Sequence, residues 1–196
     1  MSDLVPIELD DELWERVFVV SPLVLVGTRE PDGSHDLAPK HRVVTLQGHF
    51  GFVCRPSHAT WRNAVRERAF TVSWPSPRQI VMASAAASPR CDDGEKKTLR
   101  ALPTVAATTV EGVLLDGGRL HLECRLERVI DDLGEDGLLL GRIMAAHADR
   151  RALRRRDVPD GTLVHDQPLL AYLHPSQFAL IEHSTGFPFP KDFHRE

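Results

Sequence analysis

Residues 22–44 read P-L-V-L-V-G-T-R-E-P-D-G-S-H-D-L-A-P-K-H-R-V-V, and residues 50–74 read F-G-F-V-C-R-P-S-H-A-T-W-R-N-A-V-R-E-R-A-F-T-V-S-W. Leu23–Thr28 is a short apolar run, and the Pro-Asp-Gly sequence after it has the residue types of a tight turn. A second apolar run, Phe50–Cys54, is broken by Arg55-Pro56 and followed by a helical pattern. The two stretches predict a β-rich domain in which a helix begins directly after a strand.

Periodicity and turn residues predict the elements of this region and of the chain beyond it. The predicted strands are Leu23–Arg29, His35–Ala38, Val43–Leu46, Phe50–Cys54 and Ala69–Trp74, with a helix at Ala59–Arg68. Ser76-Pro77-Arg78-Gln79 is typical of a helix start and predicts a helix through Ala87. Leu120–Ile130 alternates apolar and polar residues, which predicts a strand with His121, Glu123, Arg125 and Glu127 on a face in water. Leu138–Ala145 is more continuously apolar and predicts a strand buried on both faces.

Both ends of the chain are predicted to pack on this β-rich centre. Residues 9–18, within an N-terminal segment 1–20, predict an amphipathic packing helix with Leu13, Trp14, Val17 and Phe18 as its apolar stripe. Residues 165–196 form a C-terminal arm whose aromatic residues are expected to cover a neighbouring subunit or a cofactor pocket. Several short strands with few helices predict one domain over 1–196, mainly β (α+β), with a barrel architecture.

The composition excludes several classes of function. A net charge of −4 over 196 residues gives no reason to expect nucleic acid or an anionic membrane as a partner. The start lacks the basic and apolar regions of a signal peptide, and the three cysteines neither pair by number nor form a metal-type doublet, so a cytoplasmic location is expected. The ten histidines show no H-x-x-x-H spacing, so no metal site is expected.

The start of the predicted helix at Ala59 is a candidate anion site. Ser57 and Thr60 bring hydroxyl groups to a helix N-terminus, where backbone N–H groups lack partners. The alternative is that Ser57 or His58 only caps the helix. Arg55, Arg62 and Lys97 are cations that would add charge-assisted bonds to a phosphate, unless each is simply a solvated surface residue. Likewise, the basic cluster at residues 150–156 would hold a nicotinamide cofactor's phosphate or be an exposed surface.

Three motifs in this order resemble the flavin reductase-like family of FMN-binding split β-barrels: a strand followed by T-R-E-P-D-G, Asp36-Leu37-Ala38-Pro39, and Ser57, Thr60 and Asn63 in the pattern S-x-x-T-x-x-N. The resemblance implies a split β-barrel with a few short helices, a homodimer, and non-covalently bound FMN, with FAD as the other possible flavin. The cofactor-binding positions that it implies are Ala38, Pro39, Lys40, His41, Arg42, Arg55, Ser57, His58, Thr60, Asn63 and Lys97.

His41 departs from the family, which often has a serine at this position, two residues after the proline. A hydroxyl contact is lost, and an imidazole that can be charged or stack on a ring is gained. The imidazole either contacts the flavin or points to solvent, and the sequence leaves both alternatives open.

The resemblance implies an oxidoreductase that transfers hydride from NADH or NADPH to the flavin and passes electrons to an acceptor. No catalytic acid or base is expected, since the cofactor carries the chemistry and the protein orients it. A competing hypothesis is a flavin-binding or flavin-carrying module with little turnover.

The segment L-G-E-D-G at residues 133–137 bears on turnover. Family members that reduce free flavin often carry G-D-H there, and Asp136 takes the place of the histidine. With Glu135 beside it, two carboxylates would meet the phosphates of a dinucleotide, which predicts slow reduction by NADH. The alternative is a polar turn without a functional role.

Overall fold

The computed structural model describes residues 4–9, 13–90 and 96–190. The strands of this part of the chain are Val19–Pro22 (β1), Val24–Arg29 (β2), His35–Lys40 (β3), Val43–Leu46 (β4), His49–Cys54 (β5), Ala69–Trp74 (β6), Thr104–Ala106 (β7), Val113–Leu115 (β8), Leu120–Leu133 (β9), Asp136–Ala148 (β10), Leu169–His174 (β11) and Gln177–Ile181 (β12). The helices are Ala59–Glu67 (α1), Ile80–Ala85 (α2) and Asp160–Asp166 (α3), and 3-10 turns form at Leu13–Glu15, Pro77–Gln79, Lys97–Ala101 and Arg150–Ala152.

Seven antiparallel strands form the main sheet, in the order β3-β2-β6-β9-β10-β5-β4. The long β9–β10 hairpin joins its two halves, and the pairing register of these strands shifts at three places. Such bulges bend a strand and increase its twist. The sheet curls into the half-barrel of a split β-barrel, as the mainly β fold class predicted.

Apolar side chains fill both faces of the curled sheet. The cluster inside the curl includes Val24, Val26, Phe50, Phe52, Phe70, Val72 and Leu139, all at most 1% exposed. A second cluster packs Leu25 and Leu37 of the sheet against Ala83 and Ala86 around α2. Because neighbouring residues of β2 point to opposite faces, this strand is buried on both sides, which explains the apolar run Val24–Val26 at its start.

A smaller sheet of order β1-β11-β12 joins the two ends of the chain. Val19 of β1 pairs with His174 of β11 in antiparallel register. The tail segment 169–181 therefore forms a hairpin, which the sequence did not predict. None of the described helices is long and apolar enough to cross a membrane.

The strands predicted between residues 23 and 74 and the helix α1 are confirmed. The predicted start at Ser76 is also confirmed, since Ser76 and Gln79 form a capping box, although the first turn is 3-10 and the helix ends at Ala85. Leu138–Ala145 lies inside β10 but alternates in burial, so the expectation of two buried faces is wrong.

The amphipathic helix predicted at residues 9–18 is also not found. Residues 10–12 lie outside the described part, and only Leu13–Glu15 forms a 3-10 turn. Trp14 and Phe18 of the predicted stripe are 55% and 67% exposed. The chain turns into β1 at Val19, since pairing with β11 outweighs the local helical pattern.

Candidate functional site

A small cleft opens where the end of β3, the end of β5, the start of β10 and the start of α1 meet. Its volume is about 170 Å³. Six of its lining residues were predicted as cofactor-binding: Pro39, Lys40, His41, Arg42, Arg55 and His58. Val53, Cys54 and Asp136 complete the lining. Most of the predicted site residues are therefore brought to one place.

Sheet pairing holds the walls of the cleft together. Gly137 of β10 pairs with Cys54 of β5, so the β9–β10 turn lies beside the end of β5. Helix α1 packs closely on the same point, because a Cβ atom at Gly137 would lie 2.4 Å from Cη2 of Trp61. Only glycine admits this contact, and it fixes the helix start against the mouth of the cleft.

The N-terminus of α1 carries no side-chain cap. His58 is the N-cap residue, and its side chain makes no capping hydrogen bond. Ser57 is exposed and its carbonyl oxygen accepts a hydrogen bond from Arg62, while Thr60 is 4% exposed. The cap role considered for Ser57 is thus not observed in the described part of the chain, and the positive end of the helix lies at the cleft, with the Trp61 N–H directed at the Cys54 thiol.

Two groups that line the cleft have pKa values shifted toward their neutral forms. Burial, with Lys40 and Arg55 nearby, lowers the pKa of His58. Burial raises the pKa of the Cys54 thiol, whose Sγ lies 3.8 Å from Nδ1 of His58. The positive charge of the cleft therefore comes from Lys40, Arg42 and Arg55.

The carboxylates of the β9–β10 turn face these cations. Asp136 Oδ2 lies 2.8 Å from Nη1 of Arg42, and its Oδ1 lies 3.9 Å from Nε of Arg55. Glu135 Oε2 lies 3.0 Å from Nη2 of Arg55. The sequence placed two uncompensated carboxylates at the mouth of the site, whereas the structure pairs each with an arginine of the cleft.

His41 stacks within the protein. Its ring centroid lies 4.3 Å from that of Tyr172 and 5.5 Å from that of His174. Burial and the charges of Arg42, His174 and Lys40 lower the pKa of His41 to about 4, so its imidazole is neutral at pH 7. The half-buried ring does not simply point to solvent, and its partners were missed because they lie about 130 residues away in the chain.

Other predicted residues lie outside the cleft lining. Ala38 is buried in β3 opposite Val26. Asn63 is 2% exposed, donates to Thr28 Oγ1 at 3.3 Å and accepts from Arg66 at 2.9 Å, so its amide faces the protein. The side chain of Lys97 lies outside the described part of the structure.

Lys96, the residue before Lys97, forms a buried ion pair with Asp36 at 3.0 Å. The sequence did not single out this lysine. Asp36 also accepts a hydrogen bond from Arg90 at 3.1 Å. This pair fixes the segment after α2 to β3, the strand that leads into the cleft.

The arginine cluster at residues 150–156 lies beyond the opposite end of β10 from Asp136. Arg151 pairs with Asp149 and Arg154 with Asp160, both at 2.6 Å. These local pairs favour the interpretation of an exposed surface over that of a phosphate grip at the cleft.

An apolar groove of about 830 Å³ adjoins the cleft. Pro39 lines both, and Leu23, Ile80, Tyr172 and Phe178 form much of the groove wall. A charged pocket and an apolar surface thus meet at one strand end, which suits a ligand with an anionic end and a flat apolar ring.

The chain and its fold have counterparts among known proteins. A family model described as "Flavin reductase like domain" matches residues 16–176. At the level of sequence, none of the curated proteins compared with this chain is significantly similar to it.

Several solved structures share the fold. Flavoredoxin of Desulfovibrio vulgaris (Miyazaki F) has a TM-score of 0.72 and 21% identity over 88% of this chain and 92% of its own. Nitrilotriacetate monooxygenase component B from Bacillus cereus has a TM-score of 0.77 and 16% identity over 95% and 98%. An FMN-binding protein from Thermus thermophilus has a TM-score of 0.74 and 18% identity over 95% and 99%. With the family model covering most of its length, the chain belongs to the flavin reductase-like family.

Proposed function

We propose that the protein binds FMN non-covalently at the cleft, accepts hydride from NADH or NADPH and passes the electrons to a further acceptor. The observation that carries this proposal is the convergence of Lys40, Arg42 and Arg55 on an uncapped helix N-terminus. Cationic side chains at the positive end of a helix favour a phosphate.

The dimensions of the site support a flavin nucleotide. A pocket of about 170 Å³ is smaller than the roughly 300–1,000 Å³ of whole-ligand sites, whereas the groove of about 830 Å³ lies within that range. Because Pro39 lines both, the cleft would take the charged end of the ligand and the groove its apolar ring.

The residues of the chain would bind and orient the cofactor. Lys40, Arg42 and Arg55 would hold the phosphate, with Ser57, His58 and Thr60 around the helix N-terminus. Neutral His41, stacked on Tyr172, offers a flat aromatic surface beside the cleft. When bound, FMN supplies the hydride-accepting ring, so the protein needs no acid or base of its own. The names of the structural neighbours, a flavoredoxin and an FMN-binding protein among them, support this choice of cofactor.

The test begins with the absorption spectrum of the purified protein and titration with FMN, FAD and riboflavin. We expect a yellow protein, or FMN uptake with micromolar or better affinity. A colourless protein that neither quenches flavin fluorescence nor melts at a higher temperature with FMN would overturn the proposal.

Anaerobic addition of NADH and then NADPH separates an enzyme from a carrier. We expect bleaching of the flavin absorbance by at least one of them. The second candidate is a flavin carrier with little turnover, which would bind FMN and stay oxidised. It is favoured if FMN takes Arg42 and Arg55 from Asp136 and Glu135, because the released carboxylates would then face the dinucleotide.

We also propose that the protein is a homodimer. The small sheet presents exposed apolar side chains on both faces, with Phe178 at 52% and Leu180 at 43% on one face and Val20 at 63% on the other. Phe178 and Leu180, two residues apart on one face of β12, form an apolar patch of the kind found at protein–protein interfaces. Sedimentation at micromolar concentration is expected to give a dimer, and a monomer at high micromolar concentration would contradict it.

A further inference from the structure

The cleft holds its own counter-ions. Three cations, Lys40, Arg42 and Arg55, line it, and the β9–β10 turn brings two carboxylates to the two arginines. Asp136 contacts Arg42 at 2.8 Å, and Glu135 contacts Arg55 at 3.0 Å. These two arginines are two of the three groups to which the proposed function assigns the ligand's phosphate.

These ion pairs are exposed and therefore easily exchanged. The side chains of Arg42 and Arg55 are 51% and 54% exposed, and those of Asp136 and Glu135 are 32% and 79% exposed. Exposed pairs of this kind contribute little net free energy because water competes for both partners. A phosphate dianion has more charge and more acceptor oxygens than one carboxylate, and it matches guanidinium geometry.

The backbone of the turn need not move for an exchange. Gly137, next to Asp136, is fixed by pairing with Cys54 and by the ring of Trp61. Glu135 precedes Asp136 and lies at the exposed tip of the hairpin. Rotation of the Asp136 side chain on the anchored strand, and of the Glu135 side chain at the exposed turn, is enough to release the arginines.

We propose that Glu135 and Asp136 determine specificity at this site as built-in counter-ions: a phosphorylated ligand must displace them from Arg42 and Arg55, whereas a neutral ligand with the same ring does not. The inference rests on the proposed function and adds a selection rule to it. The two carboxylates lower the affinity for phosphorylated flavin relative to unphosphorylated flavin.

The test compares FMN with riboflavin, which has the same ring and no phosphate. In a Glu135→Gln/Asp136→Asn variant, we expect the Kd for FMN to fall about three- to tenfold and the Kd for riboflavin to stay unchanged. The matched control is Asp131→Asn/Asp132→Asn, which makes the same change in net charge at exposed positions of the same hairpin. The control is expected to leave both constants unchanged.

A double-mutant cycle shows whether the arginine transmits the effect. In an Arg42→Gln background, Asp136→Asn is expected to tighten FMN binding less than it does in the wild type. Equal changes for FMN and riboflavin, an equal gain from the control pair, or a gain independent of Arg42 would each overturn the proposal.

Inorganic phosphate separates this inference from the proposed function. Its effect on the melting temperature is expected to be larger in the Glu135→Gln/Asp136→Asn variant than in the wild type. If no protein binds flavin, but phosphate still raises the melting temperature of the variant more than that of the wild type, only the proposed function is refuted. If all variants bind flavin and the ratio of FMN affinity to riboflavin affinity is the same as in the wild type, only the proposed counter-ion role of Glu135 and Asp136 is refuted.

Discussion

Glu123 and Asp136 are both carboxylates that face donor groups, and they differ in what surrounds them. Glu123, on β9, is 0% exposed and accepts hydrogen bonds from the backbone N–H groups of Thr108, Thr109 and Val110. The Thr108 hydroxyl donates to it as well, at 2.9 Å. Asp136, at the start of β10, is 32% exposed and faces a guanidinium.

The difference separates a structural carboxylate from an exchangeable one. Backbone N–H groups cannot leave without unfolding the loop that carries them, and buried groups that lose a partner cost their full desolvation free energy. A surface arginine that loses its partner binds water instead. Glu123 therefore holds the loop between β7 and β8 on the sheet, whereas Asp136 occupies its arginine only until another anion replaces it.

Glu123→Gln is expected to have the largest effect on stability. The glutamine side chain replaces one acceptor oxygen with an NH₂ donor, so buried backbone N–H groups lose their acceptor. The free energy of unfolding should therefore fall by about 3 kcal/mol. Urea denaturation measures it. The matched control is Glu127→Gln on the same strand, an exposed partner of Arg142 and His49, which should leave the unfolding midpoint nearly unchanged. Equal effects of the two substitutions would contradict the assignment of Glu123 as structural.

The contribution of Glu123 is expected to depend on pH. Burial raises its pKa, but hydrogen bonds from Thr108, Thr109 and Val110 outweigh burial, so its pKa lies below the ordinary 4.5. A group with a lowered folded-state pKa adds stability above its unfolded pKa, and this stability is lost as the pH falls through the folded pKa.

The difference in unfolding free energy between wild type and Glu123→Gln should thus be constant above about pH 5 and shrink in stronger acid. His147 Nε2 lies 3.5 Å from the carboxylate, so His147→Gln serves as a second background for the same titration. A difference that grows on acidification would contradict the assignment.

Glu123 also shows what the sequence could not predict. The alternation of Leu120–Ile130 placed Glu123 with His121, Arg125 and Glu127 on a face in water, and the strand itself is confirmed. The residue is nonetheless buried, because the loop at 107–112 covers that face. Local periodicity reports which residues share a face and carries no information about what a distant segment places on it.

The cleft was predictable where its residues are close in sequence. The turn after β5 and the start of α1 follow from Arg55-Pro56 and the helical pattern, and the strand end at Pro39–Arg42 came from the family motif. The stacking of His41 on Tyr172 depends on β1–β11 pairing across about 150 residues, and no local signal encodes it. The pairing of Asp136 with Arg42 likewise arises only when β10 lies beside β5.

Arg42→Gln removes the arginine of the exposed pair with Asp136. Because the pair with Asp136 is exposed, its loss should change the free energy of unfolding by less than about 1 kcal/mol. The same substitution should weaken FMN binding more than riboflavin binding, since it removes a phosphate partner. A large loss of stability, measured by urea denaturation, would show that the pair of Arg42 and Asp136 is structural, like Glu123.

The smallest expected effect concerns nicotinamide binding, measured with FMN at saturating concentration. Asp136 takes the place of a histidine that family members often carry, and a carboxylate at the mouth of the cleft would repel a dinucleotide's phosphates. Since solvent and salt screen an exposed charge, Asp136→His should lower the apparent KM for NADH only about two- to threefold. Reduction by the wild type should be slow and limited by NADH binding.

Asp136→Asn distinguishes the two possible reasons for this effect. If removal of the negative charge lowers KM, the asparagine variant should reproduce most of the change, and raising the salt concentration should shrink the advantage of both variants over the wild type. If the imidazole itself contacts the nicotinamide nucleotide, only the histidine variant should gain, and the gain should persist in salt. Fast wild-type reduction with a low KM, unaltered by either substitution, would show that Glu135 and Asp136 have no role in nicotinamide binding and act on the flavin phosphate alone.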